Sequence, residues 1–76
     1  MLDAVVRKIL RTDIEMLDTG VVAPLVVAVC RQDGGRFFAL QIDGDAPEVG
    51  ASILVDVNET KPGLIDYHLG AWRLAT

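Results

Sequence analysis

The sequence predicts a mainly β fold in which five antiparallel strands form a meander that curls into a small barrel. Three observations lead to this prediction. The chain has 76 residues, of which 51% are hydrophobic, so residues 1–76 should form a single small domain with one core. Runs rich in β-branched residues alternate with turn sequences that contain Gly or Pro. The longest apolar run, residues 21–30, is about half the length that a membrane span requires.

The first segment, residues 2–19, fits two secondary structures. As a strand it alternates between apolar and charged side chains, and Asp18-Thr19-Gly20 would form a hairpin turn. As a helix it carries an apolar stripe, and the alternative fold is α+β, with a helix over residues 3–17 packed on a four-stranded antiparallel sheet. The many β-branched side chains favour the strand. In that interpretation one face holds Val6, Leu10, Ile14 and Met16, and the other holds Arg7, Arg11, Asp13 and Glu15.

Residues 25–42 predict a hairpin that is apolar on both faces. Pro24 opens the run Leu25–Cys30, and the turn sequence 32–35 leads into Arg36–Ile42 as the returning strand. A strand that is apolar on both faces is typical of a strand covered on both sides. The sequence therefore raises the question of what covers the second face of this hairpin.

The rest of the chain predicts two further strands. Residues 52–57 alternate between apolar and polar side chains, and Thr60-Lys61-Pro62-Gly63 is typical of a turn. Residues 64–74 follow as one bent strand or two short ones, with Gly70 at the bend. The formal net charge is −4, and the acidic excess lies in the second half of the chain.

Small domains commonly rely on disulfides or a structural metal to offset their limited core. This chain has one Cys and one His, which excludes an intrachain disulfide and a zinc site built from Cys and His alone. We therefore expect no metal and no cofactor. The surplus of apolar side chains instead predicts self-association into a homo-oligomer. The single cysteine favours a cytoplasmic location, and no membrane association is expected.

The candidate catalytic residues are few. Cys30 ends an apolar strand, which indicates an inert core thiol. Asp66 and His68 would share one face of a strand, but the sequence identifies no nucleophile for them to activate. We therefore expect a protein that is not an enzyme.

The predicted function is that of a small β module that acts through protein–protein contacts. An aromatic side chain exposed between cations has the composition of an interface hot spot, and a tryptophan can anchor in a neighbour's pocket. The alternative is a nucleic-acid-binding small barrel, which would require Arg7, Arg11, Arg31 and Arg36 on one face despite the acidic net charge. The interface candidates are Phe37, Phe38, Trp72, Arg31 and Arg36.

Overall fold

The structure is a computed structural model that describes residues 1–75. Within those residues it contains five strands and no helix. The strands are β1 (Leu2–Glu15), β2 (Val22–Gln32), β3 (Phe37–Gln41), β4 (Ser52–Lys61) and β5 (Asp66–Leu74).

The five strands close into a barrel, in the order β1-β2-β3-β5-β4. The predicted mainly β, barrel-like fold is therefore confirmed. The order differs from a simple meander because β5 lies between β3 and β4 and pairs with β3 in parallel, through Phe38↔Asp66 and Leu40↔His68. The long connection over residues 42–51 carries the chain from the end of β3 to β4, which returns to pair with β1 and β5. A direct β3–β4 hairpin has no place in this topology.

The first segment is a strand, so the alternative with a helix over residues 3–17 is wrong. Residues 2–5 pair with β4, and residues 4–15 pair with β2. The β-branched side chains fit a pleated surface better than a helix, and pairing on both sides satisfies the backbone at the start of the strand. A bulge interrupts the β1–β2 ladder between Val6 and Lys8.

The core fills the barrel. It consists of nine hydrophobic side chains that are at most 5% exposed, with Phe38, Leu40 and Ile53 among the largest. His68 is buried with them and stands edge-on to Phe38, with ring centroids 5.0 Å apart. The nine residues are Ala4, Val6, Ala28, Cys30, Phe38, Leu40, Ile42, Ile53 and Val55.

Gly70 lies inside β5, which runs as one continuous strand through this position. A Cβ atom added to Gly70 would stand 1.9 Å from the carbonyl oxygen of Asp56 on β4. Only a residue without a side chain allows the two backbones to approach this closely. The glycine that the sequence suggested as a bend is therefore a point of close packing between β4 and β5.

The β1–β2 hairpin is longer than the barrel. Beyond the last contacts of β2 with β3 and with Ile42, residues 12–25 pair only with each other and form a two-stranded extension, which we call the arm. The Cα radius of gyration is 12.7 Å, against about 11.4 Å for a compact domain of this length. The arm accounts for this elongated shape of 39 × 25 × 19 Å.

Candidate interaction surface

The bulge in β1 determines which side chains face outward. Before it, Ala4 and Val6 point into the barrel and are buried. Because the bulge adds one residue, the alternation reverses, and Ile9 is the next side chain that packs against the core. Leu10 therefore points outward, although the regular alternation predicted from the sequence placed it on the same face as Val6.

The same register assigns the two faces of the arm and of its base, which is formed by residues 10–11 and 26–27. Side chains that are direct cross-strand partners share a face, and the pairs on the outer side are Leu10–Val27, Thr12–Leu25 and Ile14–Ala23. The inner side pairs Arg11 with Val26, Asp13 with Pro24 and Glu15 with Val22. The charged residues Arg11, Asp13 and Glu15 thus lie on the inner side, and the outer side of the arm is almost wholly apolar.

This apolar surface continues from the arm onto the barrel. Ala28 and Cys30 are buried, so Val27 and Val29 point outward, beside Gln41 and Ala39 of β3. Within residues 1–75 each strand contacts only its sheet neighbours, and no element packs across this surface. We call it the outer face, and it also carries the polar partners of Val27, Val29 and Phe37, which are Gln41, Lys8 and Arg31. Its other members are Leu10, Thr12, Ile14, Ala23, Leu25, Val27, Val29, Phe37 and Ala39.

The predicted interface candidates fall in different places. Phe37 is 44% exposed at the end of the outer face, and the Arg31 guanidinium lies 5.7 Å from the centre of its ring. Phe38 is 1% exposed, so it belongs to the core and cannot contact a partner. Trp72 is half-buried and packs against the core from β5. Of the five candidates, the structure brings together Phe37 and Arg31.

Arg36 already has a partner within the chain. Its Nη2 atom donates a hydrogen bond to Oδ2 of Asp66 at 2.5 Å, and the Arg36 side chain remains largely exposed. This ion pair fastens the β2–β3 turn to the start of β5. It also removes Asp66 from the pairing with His68 that the sequence suggested, since Nδ1 of His68 lies 3.1 Å from Oγ1 of Thr60.

Of the four arginines that nucleic-acid binding would require on one face, the structure brings together Arg7 and Arg31 but not Arg11 or Arg36. Arg7 and Arg31 line one shallow groove at the base of the barrel, and Asp3 and Asp33 line the same groove. Arg11 lies on the inner side of the arm, opposite to the face that carries Arg31. The arginines therefore do not form one basic surface. Carboxylates lie beside Arg7 and Arg31, and strand alternation places Arg11 on the other side of the sheet.

The remaining reactive side chains are engaged or buried. Desolvation by burial raises the pKa of the Cys30 thiol to about 11, which keeps it protonated and unreactive at neutral pH. Tyr67 donates its hydroxyl proton to Oε1 of Gln41 at 2.8 Å. Desolvation and the nearby charge of Asp43 raise the pKa of Tyr67. Among residues 1–75 there is no group of three His, Cys, Asp or Glu side chains placed to hold a metal ion.

Sequence reasoning missed the arm as a surface. Its tip exposes Met16, Leu17 and Val21, and Leu17 is fully exposed. One signal was present, because Leu10, Ile14 and Met16 alternate with Arg11, Asp13 and Glu15 along the predicted strand. The regular alternation placed that apolar row on the same face as Val6, because nothing in the sequence marks the bulge that follows Val6.

Comparisons with known proteins do not assign the chain to a family, since no family model, curated protein or solved structure matches it. No helix in the described part of the chain is long and apolar enough to cross a membrane. The surface itself is therefore the basis for inferring function.

Proposed function

We propose that this chain is a non-enzymatic β module that acts through protein–protein contacts and self-associates. The observation that carries the proposal is the outer face, a largely apolar surface that runs from the arm onto the barrel, where Lys8, Arg31 and Gln41 lie among its apolar side chains. Leu10, Ile14 and Phe37 are each at least 40% exposed on it. Contiguous exposed apolar surface on a small domain is a mark of an interaction site.

The physical argument is the cost of leaving this surface in water. Each Å² of apolar surface removed from water contributes about 25 cal/mol to association. Isolated exposed hydrophobics need no explanation, but the outer-face residues lie beside each other on three adjacent strands. A second copy of the chain presents the same surface, and most soluble homo-oligomers join identical patches about a twofold axis. A homo-oligomer is therefore the assembly that this surface supports best.

The nucleic-acid alternative has less support. Some five-stranded barrels bind oligonucleotides on the face formed by their second and third strands. On this chain that face carries Val27, Val29 and Ala39, and Phe37 is its one aromatic side chain. Phosphate binding needs clustered cations, but Arg36 is held by Asp66 and Arg11 lies on the other side of the arm.

A cytoplasmic location remains part of the proposal, and the free cysteine supports it. Cys30 is buried and unpaired within residues 1–75. A reducing compartment maintains such a thiol without competing oxidation.

Sedimentation equilibrium over a range of protein concentrations tests the proposal. We expect the wild-type chain to exceed the 8.2 kDa of a monomer, with a mass that rises with concentration. Leu10→Glu places a charge on the outer face and should shift the equilibrium toward monomer by tenfold or more in Kd, about 1.4 kcal/mol. Leu64→Glu is the matched control, because Leu64 is fully exposed in the β4–β5 turn and should leave the mass unchanged.

Two results would contradict the proposal. The first is a wild-type chain that stays at 8.2 kDa at every concentration. The second is an equal effect of Leu10→Glu and Leu64→Glu, which would indicate a response to added charge rather than to the outer face. Circular dichroism on each variant confirms that the barrel is folded.

A further inference from the structure

We propose that two copies of the chain join edge to edge through β1, in antiparallel register, with Thr12 facing Thr12 of the second copy. The two arms would then form one four-stranded sheet. This inference rests on the proposed self-association and specifies its contact. It comes from three properties of β1, namely an open backbone edge, the two-sided pattern of its side chains and the positions of its charges.

The first property is the open edge. Only residues 2–5 of β1 pair with β4, and two backbone hydrogen bonds join Val6 to residues 50 and 51. From residue 8 to residue 15, within the part of the chain that the structure describes, β1 pairs with β2 alone, and Arg7 before it is the bulged residue. This edge is about 27 Å long at 3.4 Å per residue, and it presents unpaired N–H and C=O groups.

The arm's other edge is protected. Residues 22–25 of β2 lie beyond the contacts with β3 and Ile42, and this stretch contains Pro24. Proline has no N–H to donate and is one of the devices that keep strand edges from pairing. The open stretch of β1 contains no proline and no glycine. The edge that is able to accept another strand is therefore that of β1.

The second property restricts the register. The outer side of β1 is apolar at Leu10 and Ile14, and its inner side is charged at Arg11 and Asp13. A shift of one residue would place apolar side chains of one copy beside charged side chains of the other. The pairing must therefore place one residue of β1 opposite the same residue of the second copy. The outer side chains of the two copies then lie beside each other, and so do the inner side chains.

The third property selects the central residue. Neither Arg11 nor Asp13 forms a salt bridge within residues 1–75. Centring the pair on Arg11 would oppose two guanidinium groups, and centring it on Asp13 would oppose two carboxylates. Centring it on Thr12 places Arg11 opposite Asp13 twice, and Leu10 opposite Ile14 twice. Opposite charges and apolar pairs directly across an antiparallel ladder are both stabilising.

The same pairing explains how an open edge avoids indiscriminate partners. Charged side chains on an edge discourage pairing with arbitrary strands, and here they match a second copy in one register. The twofold axis would run perpendicular to the sheet through Thr12. Both outer faces would then lie on the same side, and the apolar surface of the arm would double in width.

A charge-swap series tests the register in the full chain. Arg11→Asp would oppose two pairs of carboxylates, and Asp13→Arg would oppose two pairs of guanidinium groups. Each single variant should raise the dimer Kd by about tenfold. The double variant R11D/D13R restores opposite charges in the same register and should return the Kd to near the wild-type value. Both substituted positions lie on the exposed stretch of β1 in the arm and at its base, so thermal melts should show little change.

Cysteine cross-linking tests the geometry independently. Thr12→Cys would place two thiols directly opposite each other, within the range that a disulfide spans, and mild oxidation should give a covalent dimer. Glu15→Cys is the matched control, because in this register Glu15 faces Ile9 and its two copies are far apart. The native Cys30 does not compete, because it is fully buried.

The outcomes separate this inference from the proposed function. A wild-type chain that is monomeric at all concentrations overturns both. A chain that self-associates, with no recovery in the double variant and equal cross-linking at positions 12 and 15, overturns the β1 register and leaves self-association through the outer face. Recovery in the double variant together with cross-linking confined to position 12 supports the inference.

Discussion

Strands β1 and β2 run through both the barrel and the arm, yet their hydrophobic side chains are buried in one region and exposed in the other. In the barrel, Val6 of β1 and Cys30 of β2 are completely buried. Farther along the same strands, Leu10 and Ile14 remain about 40% exposed. Two things change between the regions: the bulge in β1 turns Leu10 and Ile14 away from the barrel interior, and the arm beyond them has fewer neighbouring strands. A hydrophobic side chain is buried only where the sheet curves round to face it.

The difference also concerns the backbone. In the barrel every strand has two neighbours, and closure leaves no free edge there. In the arm each strand has one neighbour, and a two-stranded ribbon is marginal by itself in water. The barrel therefore supplies the stability of the fold, and the arm is the region with surface and backbone left to bind something else.

The largest expected effect is at the point where the barrel is tightest. Gly70→Ala would place a methyl group 1.9 Å from the Asp56 carbonyl oxygen, so β4 and β5 would have to separate. We expect a loss of at least about 3 kcal/mol in the free energy of unfolding, measured by urea denaturation. Gly63→Ala is the control, since its Cβ would have an ordinary contact of 3.6 Å, and its stability should stay near wild type. Equal stability of the two variants would contradict this account.

A smaller effect separates the core from the outer face. Leu40→Ala removes a fully buried side chain from the barrel and should cost about 2–5 kcal/mol. Leu10→Ala makes the same chemical change at a position that is 43% exposed, and it should cost less than about 1 kcal/mol. Urea unfolding at one low protein concentration checks both, because self-association would otherwise add to the apparent stability. Similar losses would mean that the arm is packed as tightly as the barrel.

The sequence predicted the barrel better than the arm. Strand positions follow from local signals, such as the alternation over residues 52–57 and the turn sequence at residues 32–35. The structure confirms the strand over residues 52–57 and the turn between β2 and β3. The parallel pairing of β3 with β5 depends on which strands meet in space, and no local pattern encodes that. The face assignment of β1 failed for a related reason, since a single bulge at Arg7 reverses every later position.

The candidate surface was predicted only in part. The sequence identified a hairpin that is apolar on both faces and asked what covers the second one. In the structure, the second face of this hairpin is part of the outer face, and no element within residues 1–75 packs across it. Phe37 and Arg31 were identified from composition, whereas Leu10 and Ile14 were not, because their exposure depends on the bulge in β1 that turns them outward.

A further expected effect is a pH dependence that belongs to the barrel alone. Burial raises the pKa of Cys30 from its ordinary value of 9.0 to about 11. Between these values the unfolded chain loses the thiol proton and the folded chain keeps it, so stability falls as the pH rises. At pH 10 this one group should lower the free energy of unfolding by about 1.4 kcal/mol relative to neutral pH.

Cys30→Ala isolates this contribution. The raised pKa of Tyr67 acts in the same direction, so the wild-type protein and the variant should both lose stability in alkali, and the wild type should lose more. Adding a second thiol on the arm, as in Thr12→Cys, should not steepen the wild-type curve at protein concentrations where the chain is monomeric, because an exposed thiol titrates alike in the folded and unfolded chains. Parallel curves for the wild type and Cys30→Ala between pH 8 and pH 10 would mean that water reaches the thiol. That result would contradict the distinction between a barrel interior that excludes water and an arm that is exposed to solvent, because Cys30 is fully buried in the barrel.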